Sequence, residues 1–123
     1  MTPAKDLHRE AMHRVDEAEA ARRQRNSQLA QGRLVQAFDR ERQAADRVAG
    51  DVSLEPTRSV LHRSAASLAL ECGQLREAER LIAAALAGDP PEEIAEELRD
   101  LLEQLYFGGT KGRRRLTGAS ESL

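Results

Sequence analysis

The sequence predicts an all-α protein of about five helices. Aromatic residues make up only 2% of its 123 residues and tryptophan is absent, whereas β-strands favour aromatic and β-branched side chains. Apolar residues, mostly alanine and leucine, recur at three- and four-residue spacings, which is typical of amphipathic helices. Glycine and proline interrupt this pattern and divide it into five segments.

The first two helices are predicted from one weak and one strong apolar stripe. Pro3 suits a helix start because the first helical position needs no amide donor, and we expect Gly32 to end this helix. Its apolar residues are Leu7, Ala11, Val15 and Ala18. A second helix is expected from Arg33 to Val48. Its core face comprises Leu34, Ala37, Phe38, Glu41, Ala44, Ala45 and Val48.

The third and fourth helices are predicted to form a closely connected pair. The third begins at Pro56-Thr57 and ends at Gly73, and the fourth follows almost at once. So short a connection makes the two helices antiparallel neighbours. The apolar positions of the third helix are Leu61, Ala65, Leu68 and Cys72, and those of the fourth are Leu75, Ala78, Ile82, Ala85 and Leu86.

A fifth helix is predicted from the start signal Asp89-Pro-Pro-Glu92, which combines an acidic cap, proline at the first helical position and a glutamate three residues after the cap. Its apolar residues are Ile94, Leu98, Leu101, Leu102 and Leu105. Residues 1–107 are therefore expected to form a single domain. Residues 108–123 contain too little apolar material to fold alone, so we expect a disordered basic tail.

Part of the chain recurs within the sequence. A shift of 41 residues aligns Gly32 with Gly73, Leu34 with Leu75, Ala37 with Ala78 and Ala44 with Ala85, which makes internal repetition plausible. Gly73, Ala78, Ala85 and Pro90 also have the spacing of the small residues and the closing proline in the tetratricopeptide repeat family. On these residues the chain resembles that family.

The resemblance implies a right-handed stack of antiparallel helical hairpins, a tetratricopeptide-like α-solenoid. Its units would be residues 18–51 and 59–92, with residues 90–107 as a capping helix; an ordinary helical bundle is the alternative. By the same resemblance, the first helices of the hairpins would line a binding groove. The candidate groove residues are Arg22, Asn26, Arg63, Ser67 and Leu70.

Part of this groove resembles the carboxylate clamp of some tetratricopeptide proteins. Arg22 and Asn26 are four residues apart and would share a helical face. The rest of the clamp departs from the family pattern, because Ser64 replaces an asparagine and Ile94 and Leu98 stand where basic residues are needed. The alternative for Arg22 and Asn26 is an ordinary exposed pair.

No residue pattern points to catalysis. His8, His13 and His62 lack metal-ligand spacing and are expected to be solvated or half-buried. Cys72 precedes Gly73 at a helix end, where a thiolate is disfavoured, so we expect a structural thiol. The acidic residues Glu92, Glu93, Glu96 and Glu97 are expected to form a solvated helix face. We therefore expect no enzyme, no cofactor and no metal site.

Charge is unevenly distributed along the chain. Lys and Arg outnumber Asp and Glu by 10 to 8 in residues 1–50 and by 4 to 1 in residues 108–123, whereas residues 51–107 hold 5 against 12. The basic tail residues are Lys111, Arg113, Arg114 and Arg115. They could contact nucleic acid without sequence specificity, keep the chain soluble, or dock onto an acidic face of this or another copy.

These observations favour a protein-interaction module that presents a small helical groove to a peptide or a partner protein. Self-association into a homo-oligomer is the first alternative, because few repeats leave apolar surface uncovered. A nucleic-acid accessory role through the basic tail is the second and less favoured. No segment has the length of apolar sequence that spans a membrane, so we expect a cytoplasmic protein.

Overall fold

Five α-helices make up nearly all of the protein that the structure describes. The computed structural model describes the backbone of residues 1–117 and the side chains of residues 1–108. Within that range there is no β-strand, so the predicted all-α class is confirmed. The helices are α1 (Ala4–Arg23), α2 (Ser27–Val48), α3 (Thr57–Glu71), α4 (Leu75–Leu86) and α5 (Glu92–Thr117), with a short 3-10 helix at Val52–Leu54.

The turn between the first two helices lies at residues 24–26, so the prediction that Gly32 ends the first helix is wrong. Gly32 lies inside α2. Arg25 instead adopts a left-handed conformation with φ 60°, and the side-chain oxygen of Asn26 accepts a hydrogen bond from the Leu29 amide at 3.1 Å. Asn26 is thereby the N-cap of α2.

The α1–α2 and α3–α4 connections are equivalent. Gly73, with φ 75°, occupies the same place as Arg25, 48 positions further along the chain. At both turns the next amide bonds to the carbonyl five residues earlier, Asn26 to Ala21 and Gln74 to Ala69, each at 2.8 Å. The two similar turns are therefore 48 residues apart, whereas the alignment of the sequence with itself uses a shift of 41. Buried pairs at the spacing of the two turns are Ala18 and Ala66, Ala21 and Ala69, Ala30 and Ala78, Leu34 and Ile82, and Ala37 and Ala85.

The hydrophobic core runs between successive helices. Each helix packs against the next, and α3 also contacts α5. Alanines with no exposed surface allow the helices to approach closely, and Leu81, Ile82 and Leu98 fill the space between them. The predicted core face of α2 is confirmed, since all seven of its residues are buried. In α4, however, Leu75 is 52% exposed although it was predicted as a core residue, and Leu81, which was not predicted, is fully buried.

A buried arginine near the start of α3 stabilises the loop that precedes this helix. Arg58 donates from Nε to the Ala49 carbonyl at 2.8 Å and from Nη2 to the Ala84 carbonyl at 2.9 Å. It thus links the end of α2 to α4. Oε2 of Glu55 lies 3.5 Å from Nη1 of Arg58, and the carboxylate of Glu55 accepts hydrogen bonds from the backbone amide and the side-chain hydroxyl of Ser59. Burial alone would raise the pKa of Glu55, but these hydrogen bonds hold it below its usual value.

The last helix is longer than the sequence suggests. The sequence predicts a helix end at Phe107, but α5 continues to Thr117, into the segment predicted to be a disordered tail. Residues 118–123 lie outside the described part of the chain. Across the part that is described, no helix combines the length and the apolar character needed to cross a bilayer.

Candidate binding groove

A groove of about 610 Å³ opens between α1, α3 and α5. Alternate helices of the chain form it, because none of its lining residues comes from α2 or α4. The groove is lined by Met12, Val15, Arg63, Ser64, Ser67, Leu68, Glu97, Asp100 and Leu101. We refer to these nine residues as the α1–α3–α5 groove.

Helical spacing brings the lining residues to one side of each helix. Met12 and Val15 are three residues apart on α1, and Ser64 and Leu68 are four apart on α3. Residues at these spacings are neighbours on a helix surface. Leu101 completes an apolar floor with Met12, Val15 and Leu68, so the groove can bury apolar side chains of a ligand while its serines offer hydrogen bonds.

Some of the charged side chains in the groove have an ion-pair partner and others do not. The guanidinium of Arg63 contacts the carboxylate of Glu97 directly and so links α3 to α5. Asp100 is exposed and has no ion-pair partner among the described residues. The one arginine that lines the groove is therefore already paired, and the groove presents net negative charge.

The structure places two of the five predicted groove residues, Arg63 and Ser67, in the groove. Arg22 lies in the last turn of α1 beside a separate, shallow depression that it shares with Glu19 and Arg23. Asn26 caps α2, and Leu70 is partly buried against the core. Arg22 and Asn26 do not line the groove with Arg63.

Residues of α1 and α5 also line the groove, although the sequence did not predict them there. Met12 and Val15 line the groove from α1, and Asp100 and Leu101 line it from α5. The sequence pattern assigns Leu101 to the apolar stripe of its helix and gives no sign that it borders a groove. A signal is nevertheless present, because Glu97, Asp100 and Leu101 recur at three- and four-residue spacing along one side of α5. The side chains of the basic tail residues Lys111, Arg113, Arg114 and Arg115 lie outside the described part of the structure.

The histidines and the cysteine have structural environments. His8 pairs with the buried Glu41, and His13 lies 3.2 Å from Glu17 one turn away. His62 is fully buried, contrary to expectation. Cys72 is partly buried, and this burial raises the pKa of its thiol. Within the described residues, no group of three or more His, Cys, Asp or Glu side chains could hold a metal ion.

Comparison with known proteins gave no matching family model, no matching curated protein and no matching solved structure.

Proposed function

We propose that the protein is a non-enzymatic protein-interaction module that binds a segment of a partner protein in the α1–α3–α5 groove. The observation that carries this proposal is the lining of one open groove by alternate helices. An apolar floor bordered by serines and carboxylates suits a peptide or a helix with one apolar face.

The repeat geometry supports a tetratricopeptide-like arrangement. Two three-residue turns carry equivalent left-handed residues, Arg25 and Gly73, and buried alanines recur at the same places in both helix pairs. If the two pairs are antiparallel hairpins stacked in succession, then α1 and α3 are their first helices and α5 is the capping helix. The first helices of such a stack line its concave surface, and residues of α1, α3 and α5 line the groove in this protein.

Site-specific photo-crosslinking tests the groove assignment. A photoreactive amino acid in place of Ser67 would lie inside the groove, whereas the same amino acid in place of Gln31 would lie on an exposed part of α2 away from it. We expect cells that express the Ser67 variant to yield a discrete crosslinked species, identified by mass spectrometry, that the Gln31 variant does not yield.

A second substitution links the crosslink to the chemistry of the groove. Arg63→Glu would replace the ion pair with Glu97 by a repulsive pair and change the groove charge by two units. Because the groove then carries more negative charge, we expect the Ser67 crosslink to increase if the partner segment is basic and to decrease if it is acidic, while the helical circular dichroism signal is kept. Equal crosslinking from Ser67 and Gln31, or a Ser67 crosslink that does not respond to Arg63→Glu, would contradict the proposal.

A further inference from the structure

We propose that the occupant of the α1–α3–α5 groove is the basic C-terminal segment, residues 111–116, of a second copy of this chain. Two copies would exchange these segments and form a symmetric dimer. This inference rests on the proposed function, which requires only that some protein segment binds the groove; the inference specifies which one.

The groove is lined by one more carboxylate than cations. Asp100 lines it, and Asp16 lies four residues after the lining residue Met12 on α1, so Asp16 and Met12 share a face of that helix. Neither Asp100 nor Asp16 has an ion-pair partner within the described residues. A segment that brings several basic side chains close to an apolar one therefore complements both the charge and the floor of the groove.

The chain itself contains such a segment. Residues 108–123 hold four basic residues and one acidic residue, whereas the other two parts of the chain are weakly basic or strongly acidic. Lys111 and Arg113–Arg115 are followed directly by Leu116. The segment thus offers cations for the carboxylates and one apolar side chain for the floor.

The course of α5 favours binding between two copies rather than within one. Leu101 lines the groove, and α5 continues as a helix to Thr117. Lys111 is therefore about 15 Å further along the helix axis than Leu101, and a continuous helix leads the basic segment away from the groove of its own chain. A second copy can present the segment, and reciprocal exchange gives two identical contacts around a twofold axis.

Sedimentation velocity of the full chain at tens of micromolar protein tests the exchange. We expect a dimer whose dissociation constant increases with salt, because the contacts are ionic and partly exposed. Asp100→Lys and, separately, the double change Arg113→Glu with Arg114→Glu should each raise the dissociation constant about tenfold or more. An equimolar mixture of the two variants should form a dimer again. In the mixed dimer, the basic tail of the Asp100→Lys variant meets the unchanged acidic groove of the tail variant, and the tail with two added glutamates meets the groove that carries the added lysine.

Glu92→Lys is the matched control for Asp100→Lys. It makes the same change of charge on α5, about 12 Å along the helix from Asp100, at an exposed residue that pairs with Arg99 and does not line the groove. It should leave the dimer intact. A monomer at all protein and salt concentrations would overturn the exchange, as would a dimer that resists both sets of groove and tail changes. In either case, a Ser67 crosslink to another protein would leave the proposed function standing.

Discussion

His8 on α1 donates a hydrogen bond from Nδ1 to both carboxylate oxygens of Glu41 on α2, at 3.0 and 2.9 Å. The two partners differ in environment, because the side chain of His8 is 40% exposed and that of Glu41 is fully buried. A carboxylate without contact with water depends on its partner for compensation. The pair therefore differs from the other two ion pairs between these helices, Glu10–Arg40 and Glu17–Arg33, in which neither side chain is fully buried.

Removal of His8 should destabilise the protein. His8→Ala leaves the Glu41 carboxylate buried without its partner, which costs about 1–3 kcal/mol in the free energy of unfolding. The additional change Glu41→Leu should recover part of this loss, because an apolar side chain can fill the same space without a charge. Urea unfolding of the single and double variants measures both effects.

A second ion pair between the same helices provides the control. Nε of Arg40 lies 3.0 Å from Oε1 of Glu10, and the two side chains are 43% and 54% exposed, respectively. Arg40→Ala should therefore change the free energy of unfolding by less than about 1 kcal/mol. If His8→Ala cost no more than Arg40→Ala, the buried pair would not have the structural role that its geometry assigns to it.

The sequence predicts most of the helices but misplaces one turn, and the physical reason lies in two residues. At Gly73 the left-handed turn residue is a glycine, which marks the end of α3 correctly. At the equivalent turn that residue is Arg25, and a lone arginine gives no signal for a left-handed conformation. The turn is therefore predicted at Gly32 instead, although a single glycine is tolerated inside a helix at modest cost in stability, as it is here in α2.

The groove could be predicted only in part, because its residues come together through packing. Arg63 and Ser67 follow from the repeat pattern of α3 alone. Met12 on α1 and Asp100 on α5 line the groove together with residues of α3, and this arrangement depends on the true position of the first turn. With Gly32 as the turn, the first helix would have a different length and a different partner face.

Arg25→Gly should stabilise the protein. A left-handed conformation costs a non-glycine residue about 1–2 kcal/mol, and φ at Arg25 is 60°. Glycine removes this cost but increases the freedom of the unfolded chain, so we expect a net gain of about 0.5–1 kcal/mol. Thermal unfolding followed by circular dichroism would show a higher Tm.

Gly73→Ala is the reciprocal test. Gly73 has φ 75°, and a Cβ added there would have no other group within 4 Å, so any loss of stability reflects backbone strain rather than a clash. We expect a loss of about 1 kcal/mol or more. Opposite signs for Arg25→Gly and Gly73→Ala would support the equivalence of the two turns, and a loss for both would show that Arg25 is held by its side chain.

His62 should make stability depend on pH. Its Nδ1 donates to the Arg58 carbonyl at 2.7 Å, which leaves the buried Nε2 without a hydrogen-bond partner. Burial lowers the pKa of His62 from the ordinary value of 6.5 and outweighs the hydrogen bond to the Arg58 carbonyl, which raises it; the charges of Arg58 and Arg80 also lower the pKa, and that of Asp46 raises it. The unfolded chain therefore binds a proton more readily than the folded one.

It follows that His62 contributes stability above pH 6.5 and that this contribution is lost as the pH falls from there towards the lower folded pKa. Urea unfolding at about pH 7.5 and about pH 5.5 would measure the change. His62→Phe removes the titrating group and keeps an aromatic ring, so its loss of stability over the same interval should be smaller than that of the wild type. Equal losses in the two proteins would contradict a buried, neutral histidine.

Gly88→Ala should destabilise the protein because Arg58 occupies the space that a Cβ needs. A Cβ at Gly88 would lie 2.3 Å from Nη1 and 2.9 Å from Cζ of Arg58. An arginine at the surface would move aside, but this one is buried and donates to the Ala49 and Ala84 carbonyls. The added methyl group must break or distort these hydrogen bonds, and we expect a loss of about 1–3 kcal/mol, measured by urea unfolding.

Two comparisons separate this clash from a general effect of alanine. Gly32→Ala adds the same methyl group inside α2, where no atom other than the adjoining backbone of the helix lies within 4 Å, and it should stabilise the protein by about 0.5–1 kcal/mol. Arg58→Met removes the guanidinium and will itself be destabilising, but in that background Gly88→Ala should cost much less than in the wild type. A double-mutant cycle measures the difference. If Gly88→Ala cost the same in both backgrounds, Arg58 would not be the cause of its effect.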